Sequence, residues 1–258
     1  MSLRRTALIA AIGLGLVRAH WIAFQIQALF TVTDFRWLYV VATICNFLFM
    51  LPFPVLLVIL YRSDATLAVS ARLKLAALAT ALIQGMLVTG PNVYGWILML
   101  RQAWNEMQAF GLATQADNFW AWFHETSTAW GETWRLIGLF AQLAFMLFLI
   151  ALFRYRNQPP ESGVRQSYLL REAAALATIT GGLAVILNLG RQVYAALEFI
   201  NHHNDWSFGE STLGQLVVRN ALSIVPEVCW MIAAYIVCLS QPIRHIHDCA
   251  ADKTSPVS

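Results

Sequence analysis

The sequence has 258 residues, of which 59% are hydrophobic and 12% are charged, and its formal net charge is +3. A soluble globular domain carries about 25% charged residues, so this composition excludes an ordinary soluble protein. The small positive charge does not indicate nucleic-acid binding, because no soluble basic surface is available to hold a nucleic acid.

The apolar residues fall into long blocks. A helix needs roughly 20 predominantly apolar residues to cross the hydrocarbon core of a membrane. Closed β-barrels show alternating segments of about 10 residues instead of continuous runs. The sequence therefore predicts an all-α polytopic membrane protein, a bundle of six transmembrane helices in a single membrane domain (1–240) with a short cytoplasmic tail (241–258). The predicted spans are approximately 6–30, 37–61, 73–100, 134–153, 173–200 and 213–240.

The basic residues predict the orientation of the chain. Most Lys and Arg lie at the N-terminus, in the connections after spans 2 and 4, and in the tail, whereas the other connections and their edges hold only Arg36, Arg101 and Arg135. The positive-inside rule then places both termini in the cytoplasm, in a bacterial-type cell inner membrane. The N-terminal segment has the charge and apolar length of a signal peptide. Because the apolar stretch resumes after Arg18 and His20, we expect an uncleaved first span.

Span 1 and span 6 each carry a charge near the middle of the membrane. Arg18 and Glu227 are the only opposite charges at this predicted depth. A buried charge without a partner costs several kcal/mol, whereas a pair recovers much of that cost. We therefore expect spans 1 and 6 to touch and Arg18 to pair with Glu227. The pair would either fix the register of the helices or belong to a ligand site.

Spans 2, 3 and 6 contain proline. Pro91 in span 3 follows Thr89 and Gly90, and a proline deletes a backbone hydrogen bond and kinks a helix. Broken spans often line substrate sites, which makes the adjacent Asn92 a candidate ligand-binding residue. The alternative is ordinary hydrogen bonding between helices, worth about 0.6 kcal/mol per bond in membranes. The other prolines and polar residues of this kind are Pro52, Pro54, Pro226, Asn46, Gln142 and Asn188.

The stretch 118–135, NFWAWFHETSTAWGETWR, is rich in tryptophan. At helical spacing its aromatic residues share one face and its polar residues take much of the other. This pattern is typical of an amphipathic helix lying in the outer membrane interface. Two other interpretations stay open, namely an aromatic lid or cage over an outward-facing cavity and a catalytic loop around His124 and Glu125.

A second group of basic residues is predicted at the outer mouth of the bundle. His20 lies above Arg18, Arg191 lies in the outer half of span 5, and Arg219 lies near the outer end of span 6. Glu198 is the only acid near them in those spans. Because guanidinium groups suit carboxylates and phosphates, we expect an outward-facing pocket for an anionic group such as a lipid head group. The alternative, strongest for Arg219, is a side chain that reaches back to the interface.

No metal or cofactor site is predicted. His202 and His203 could join His124 or Glu125 around zinc, but adjacent histidines do not share a helix face and no HExxH motif occurs. A haem held by two histidines within the spans is not expected, because only His20 lies inside a span. No lysine lies at mid-depth to bind retinal. We therefore expect neither metal nor cofactor.

A weak internal repeat is visible. Span 3 contains AALATALIQGMLVTGPNVYG and span 5 contains AALATITGGLAVILNLGRQVY, while NFLFML in span 2 resembles QLAFML in span 4. Such a repeat would relate helical hairpins that point the same way across the membrane, about an axis along the membrane normal.

These features are compatible with three classes of function. The first is binding or transport of an anionic or amphipathic small molecule or lipid, favoured by the charges inside the spans and by the broken helices. The second is a membrane sensor or scaffold subunit that acts through a partner protein. The third is a membrane-embedded lipid-modifying enzyme, which is least favoured because no spacing supports a nucleophile and a base. The expected partners are membrane lipids, with a homo-oligomer or a partner protein as open alternatives and no nucleic acid.

Overall fold

The computed structural model describes residues 2–31, 37–63, 67–109, 129–157, 164–201 and 213–240, and all regular structure in these ranges is helical. Six helices are long and apolar enough to cross a membrane, which confirms the all-α polytopic bundle. The chain is therefore a multi-pass integral membrane protein. Of the predicted interfacial stretch, residues 118–128 lie outside the described residues, and residues 129–135 form the start of the helix of span 4. The tail lies wholly outside the described residues. The helices are Leu3–Thr31 (span 1), Trp37–Met50 and Pro52–Arg62 (span 2), Ala71–Gln84 and Gly90–Ala109 (span 3), Ala129–Phe153 (span 4), Val164–Asn201 (span 5) and Leu213–Leu239 (span 6).

Proline breaks two of the three spans that contain it. In span 2 the helix is interrupted at Leu51, directly before Pro52. In span 3 a π-helical turn, Gly85–Thr89, precedes Pro91, and Gly90 N–H donates to Gly85 O across this turn. A proline ring clashes with the carbonyl four residues earlier, and one extra residue in the turn relieves that clash. Span 6 continues through Pro226 as one helix.

The six spans form a closed ring in the order 1, 2, 5, 6, 3, 4. The ring consists of three hairpins (spans 1 and 2, spans 5 and 6, and spans 3 and 4), and an even-numbered span of each hairpin packs against an odd-numbered span of the next. In this order the same hairpin unit occurs three times around the ring. It is the arrangement that a parallel repeat of hairpins requires.

The three even-numbered spans meet at an aromatic triad. Phe53 of span 2, Phe145 of span 4 and Trp230 of span 6 each contribute one ring. The ring centroids lie 5.6 Å apart for Phe53 and Phe145, 5.8 Å for Phe53 and Trp230, and 6.2 Å for Phe145 and Trp230. All three side chains are buried, so the triad joins the three hairpins at the centre of the bundle.

One end of the bundle is closed by hydrogen bonds between connections. We call this end the basic side, because exposed arginines such as Arg4, Arg62 and Arg154 lie there. The segment between spans 2 and 3 is held by the ends of spans 4 and 6. Ala68 N donates to Ser240 O at 2.7 Å, and Val69 N donates to Asn157 Oδ1 at 3.1 Å. The continuous hydrophobic core also lies in this half of the bundle.

The other half, which we call the open half, is less well packed among the described side chains. Residues 19–27 of span 1, 90–98 of span 3 and 189–194 of span 5 are exposed or half-buried around the whole helix wherever their side chains are described. A methyl group added at Gly95, Gly138 or Gly190 would meet no atom within 4 Å. The described parts of the helices are therefore less closely packed toward the open half.

Span 1 contacts span 4 through a glycine. A Cβ atom at Gly13 would lie 3.0 Å from Ala141 Cα and 3.1 Å from Ala141 Cβ, whereas one at Gly15 would meet nothing within 4 Å. We expect Gly13→Ala to lower the free energy of unfolding by about 1–3 kcal/mol through overpacking. Gly15→Ala should instead leave stability unchanged or raise it by up to about 1 kcal/mol, because alanine favours helix. Reversible unfolding in mixed micelles would measure both, and equal stability of the two variants would contradict the close contact.

Candidate functional site: a buried charged layer

The carboxylate of Glu227 lies buried in span 6 and ties three spans together. Asn46 Nδ2 of span 2 donates to Glu227 Oε1 at 2.9 Å, and Asn188 Nδ2 of span 5 donates to Glu227 Oε2 at 2.9 Å. Glu227 is 5% exposed, and both asparagines are buried. Each carboxylate oxygen therefore has one amide donor, which offsets part of the cost of burying the charge.

A chain of hydrogen bonds fixes the orientation of Asn188. Gln192, one helical turn further along span 5, donates from Nε2 to Asn188 Oδ1 at 3.3 Å and to Ser223 Oγ of span 6 at 2.8 Å. Asn188 therefore has its oxygen occupied by Gln192 while its amide nitrogen faces Glu227. Asn46 differs, because its Oδ1 is buried and has no hydrogen-bond partner.

The guanidinium of Arg18 lies at the same layer and contacts aromatic rings. Its Cζ is 4.9 Å from the ring centroid of Phe47 in span 2 and 4.6 Å from that of Trp230 in span 6. Arg18 is 8% exposed, and its Nε is buried without a hydrogen-bond partner. Desolvated cation–π contacts are worth about 2 kcal/mol, which offsets only part of the cost of burying this charge.

Arg18 and Glu227 lie in one layer, because Arg18 contacts Trp230, three residues after Glu227, and Phe47, which follows the Asn46 that donates to Glu227. The hydrogen bonds to Glu227, however, come from Asn46 and Asn188 and not from the guanidinium. Span 1 packs mainly against spans 2 and 4, so its contact with span 6 is made by the Arg18 side chain over Trp230. The structure therefore places the two side chains in one buried layer without extensive packing of their helices, and their pairing stays a prediction.

The hairpin of spans 3 and 4 holds a neutral counterpart of this cluster. Asn92 Nδ2 donates to Gln142 Oε1 at 3.0 Å, as Asn188 Nδ2 donates to Glu227 Oε2 at 2.9 Å in the hairpin of spans 5 and 6. An uncharged glutamine thus accepts the same kind of amide hydrogen bond between helices, in an exposed position where that of Glu227 is buried. The link alone does not require a carboxylate.

The even-numbered spans share a pattern that explains this correspondence. A polar residue is followed three, four and five residues later by an aromatic residue, a methionine and an aliphatic residue. The three sets are Asn46, Phe49, Met50 and Leu51 in span 2; Gln142, Phe145, Met146 and Leu147 in span 4; and Glu227, Trp230, Met231 and Ile232 in span 6. The resemblance of NFLFML to QLAFML relates only spans 2 and 4. The corresponding segment of span 6 is EVCWMI, which places Glu227 at the position of Asn46 and Gln142.

The structure separates the predicted site residues. Arg18 and Glu227 share the charged layer, whereas Asn92 belongs to the neutral pair with Gln142. His20 is half-buried beside Trp21, with ring centroids 6.2 Å apart. Arg191 is half-buried on span 5, three residues beyond Asn188 toward the open half. Their grouping with Arg219 in an anion pocket stays a prediction. The side chain of Arg219 lies outside the described structure, as do His124, His202 and His203.

Sequence reasoning named Asn46 and Asn188 only as polar groups, and it missed Phe47, Trp230 and Gln192. It also missed Gln84 in span 3, which is fully buried with both amide atoms lacking a hydrogen-bond partner. Thr89 Oγ1, in the π-helical turn, is likewise buried without a partner. Polar residues within predicted spans are the signal for Gln84 and Gln192, whereas nothing in the sequence marks which aromatic residues contact Arg18.

A groove of about 250 Å³ lies between spans 3 and 6. Its walls are almost entirely apolar, and it offers no charged group to an anion. It is lined by Thr80, Ile83, Ala221, Ile224, Val225, Val228, Cys229 and Ile232. The groove suits an acyl chain of the bilayer, so it is distinct in chemistry from the charged layer.

Comparison of the chain with protein-family models, curated proteins and solved structures finds no match. What the protein does is therefore argued from the charged layer itself.

Proposed function

We propose that the protein binds an anionic or amphipathic small molecule at Arg18 and that binding serves transport across the membrane. The observation that carries this proposal is the state of Arg18, a buried charge whose Nε lacks a hydrogen-bond partner while Glu227 is occupied by two amides. Ionised groups within spans are costly and mark substrate pathways. A guanidinium with an unused donor suits a carboxylate or phosphate.

The comparison between hairpins supports a functional reason for the charges. Gln142 links its hairpin through the same kind of amide contact that Glu227 accepts from Asn188. Because a neutral residue is sufficient for that contact, the cost of burying Glu227 and Arg18 calls for a role beyond packing.

The unequal packing of the two halves supports transport over a purely structural role. The basic side is closed by the contacts of Ala68 with Ser240 and of Val69 with Asn157. The open half lies on the other side of the charged layer. A ligand would reach Arg18 from the open half, and opening of the basic side would complete a transport cycle. With the predicted topology, the open half faces outward.

We expect anionic metabolites or lipids of one class to stabilise the detergent-purified protein in a thermal-shift screen. A ligand present at about 100 times its Kd stabilises the folded state by about 2.7 kcal/mol. Arg18→Gln should abolish this shift because it removes the cation, and Arg191→Gln should weaken it if Arg191 lines the approach. The matched control is Arg154→Gln, which removes an exposed arginine from the basic side.

An unchanged shift in Arg18→Gln, or no shift with any anion in the wild-type protein, would refute binding at Arg18. Flux of the same ligand into proteoliposomes then separates transport from sensing. Binding without flux would favour a sensor or scaffold subunit.

A further inference from the structure

The two charges of the layer balance each other only while no ligand is bound. Arg18 is the basic and Glu227 the acidic side chain of the buried layer, and their charges are opposite when both are ionised. An anion bound to Arg18 would leave the layer with an excess negative charge. Excess charge in a low-dielectric interior is strongly unfavourable, and a carboxylate there takes up a proton instead.

Asn46 can accept a hydrogen bond from the carboxyl group once Glu227 is protonated. Its Oδ1 is buried without a partner, while its Nδ2 donates to Glu227 Oε1 at 2.9 Å. Amide nitrogen and oxygen have nearly the same shape, so rotation of the amide group exchanges donor for acceptor at the same position. In the present orientation Asn46 serves ionised Glu227. After rotation its oxygen would accept from the O–H of protonated Glu227.

Asn188 can make the same exchange only if Gln192 turns with it. Its Oδ1 accepts from Gln192 Nε2, which also donates to Ser223 Oγ. Because two amides would have to turn instead of one, Asn188 keeps its nitrogen toward Glu227 Oε2 in both states. The two carboxylate oxygens are thus unequal, and Oε1 is the one that gains the proton.

We infer that Glu227 takes up one proton at Oε1 when an anionic group binds Arg18, so that the protein couples anion binding to proton binding. The step forms one O–H bond with a proton from water, releases it when the anion leaves, and involves no redox change. This inference rests on the proposed function, and it names the proton as the coupling ion of the same site.

The other ionisable groups around Glu227 do not replace it in this role. Among the described residues, span 1 contributes Arg18, and span 2 contributes the neutral Asn46. Span 5 contributes the neutral Asn188, with Arg191 one turn further away. Span 3 places uncharged Thr80 beside Cys229 of span 6, at 4.0 Å from Cys229 Sγ to Thr80 O. Glu227 is therefore the acid of the layer in the described part of the chain.

The first experiment needs no ligand. Arg18→Gln removes the positive charge, as neutralisation by a bound anion would. We expect infrared spectra at neutral pH to show a carboxylic-acid C=O band in Arg18→Gln and in the apolar variant Arg18→Met. The band should be absent from the wild-type protein, from Arg154→Gln and from the double variant Arg18→Gln/Glu227→Gln. A wild-type protein that already shows this band, or Arg18 variants that lack it, would overturn the inference whether or not any anion binds.

A second experiment uses benzoate as the anionic probe and benzamide as its neutral counterpart. One linked proton predicts that the benzoate affinity of the wild-type protein falls about tenfold per pH unit over the pH range in which Glu227 is ionised in the free protein and protonated in the complex. Glu227→Gln should bind benzoate with an affinity that does not depend on pH. Benzoate binding that is independent of pH in the wild-type protein would reject proton coupling and leave the proposed function standing. If benzoate does not bind, the anion site fails for this probe, and the infrared result alone decides the coupling of the two charges.

Discussion

Glu227→Ala is expected to lower the free energy of unfolding by about 3–5 kcal/mol, because it leaves the buried charge of Arg18 without its counter-charge. It also leaves Asn46 Nδ2 and Asn188 Nδ2 without their acceptor. Reversible unfolding in mixed micelles would measure the loss. A loss below about 1 kcal/mol, the value typical of exposed ion pairs, would mean that water reaches the layer and screens the charges.

Two further variants distinguish the effect of the buried charge on stability from the effect of the hydrogen bonds. Glu227→Gln keeps an acceptor for Asn188, as Gln142 does for Asn92, and should cost less than Glu227→Ala. The double variant Arg18→Gln/Glu227→Gln removes both charges and should be more stable than the sum of the two single changes predicts, because residues in contact couple by about 0.5–3 kcal/mol. Additive losses would show that the two charges do not interact.

Phe145→Ala is expected to lower the free energy of unfolding by about 3–5 kcal/mol, because it opens a cavity in the aromatic triad. Phe145 is fully buried and contacts both Phe53 and Trp230. The matched control is Phe140→Ala in the same span, since Phe140 is 68% exposed and its removal leaves no internal cavity. The same unfolding measurement applies, and equal losses for the two variants would contradict a central triad.

The triad variant also tests whether the core and the charged layer depend on each other. Trp230 stacks on Phe53 and contacts Arg18 from the same ring system. If Phe145→Ala shifts Trp230, anion binding should weaken together with stability. Unaltered binding in a folded Phe145→Ala protein would show that the layer holds its geometry without the full triad.

In the proposed transport cycle, the position of the charged layer would link anion binding at Arg18 to opening of the basic side. Arg18 and Glu227 lie between the closed basic side and the less packed open half. Trp230 joins the layer to the triad on which the three hairpins meet. A change of charge at the layer would therefore act on the hairpin interfaces and not on one helix alone.

The amino-acid sequence by itself determined the membrane-spanning architecture. Lipid requires every backbone polar group to be satisfied within the spanning segment, so blocks of about 20 apolar residues have few options besides helix. The prolines also predicted the interruptions of the helices near Pro52 and Pro91, because a proline disturbs the backbone hydrogen bonding of its own helical turn. The sequence also singled out Arg18 and Glu227, because ionised groups are rare at that depth.

Only the tertiary structure decided which helices are neighbours. Apolar helices in lipid have no strong preference for one partner from composition alone, since their association depends on close packing and on a few polar contacts. The ring order, the contact of Gly13 with Ala141 and the donation from Asn46 to Glu227 depend on residues far apart in the chain. The sequence therefore showed that two charges are buried, and the folded bundle showed that amides hold one of them and aromatic rings the other.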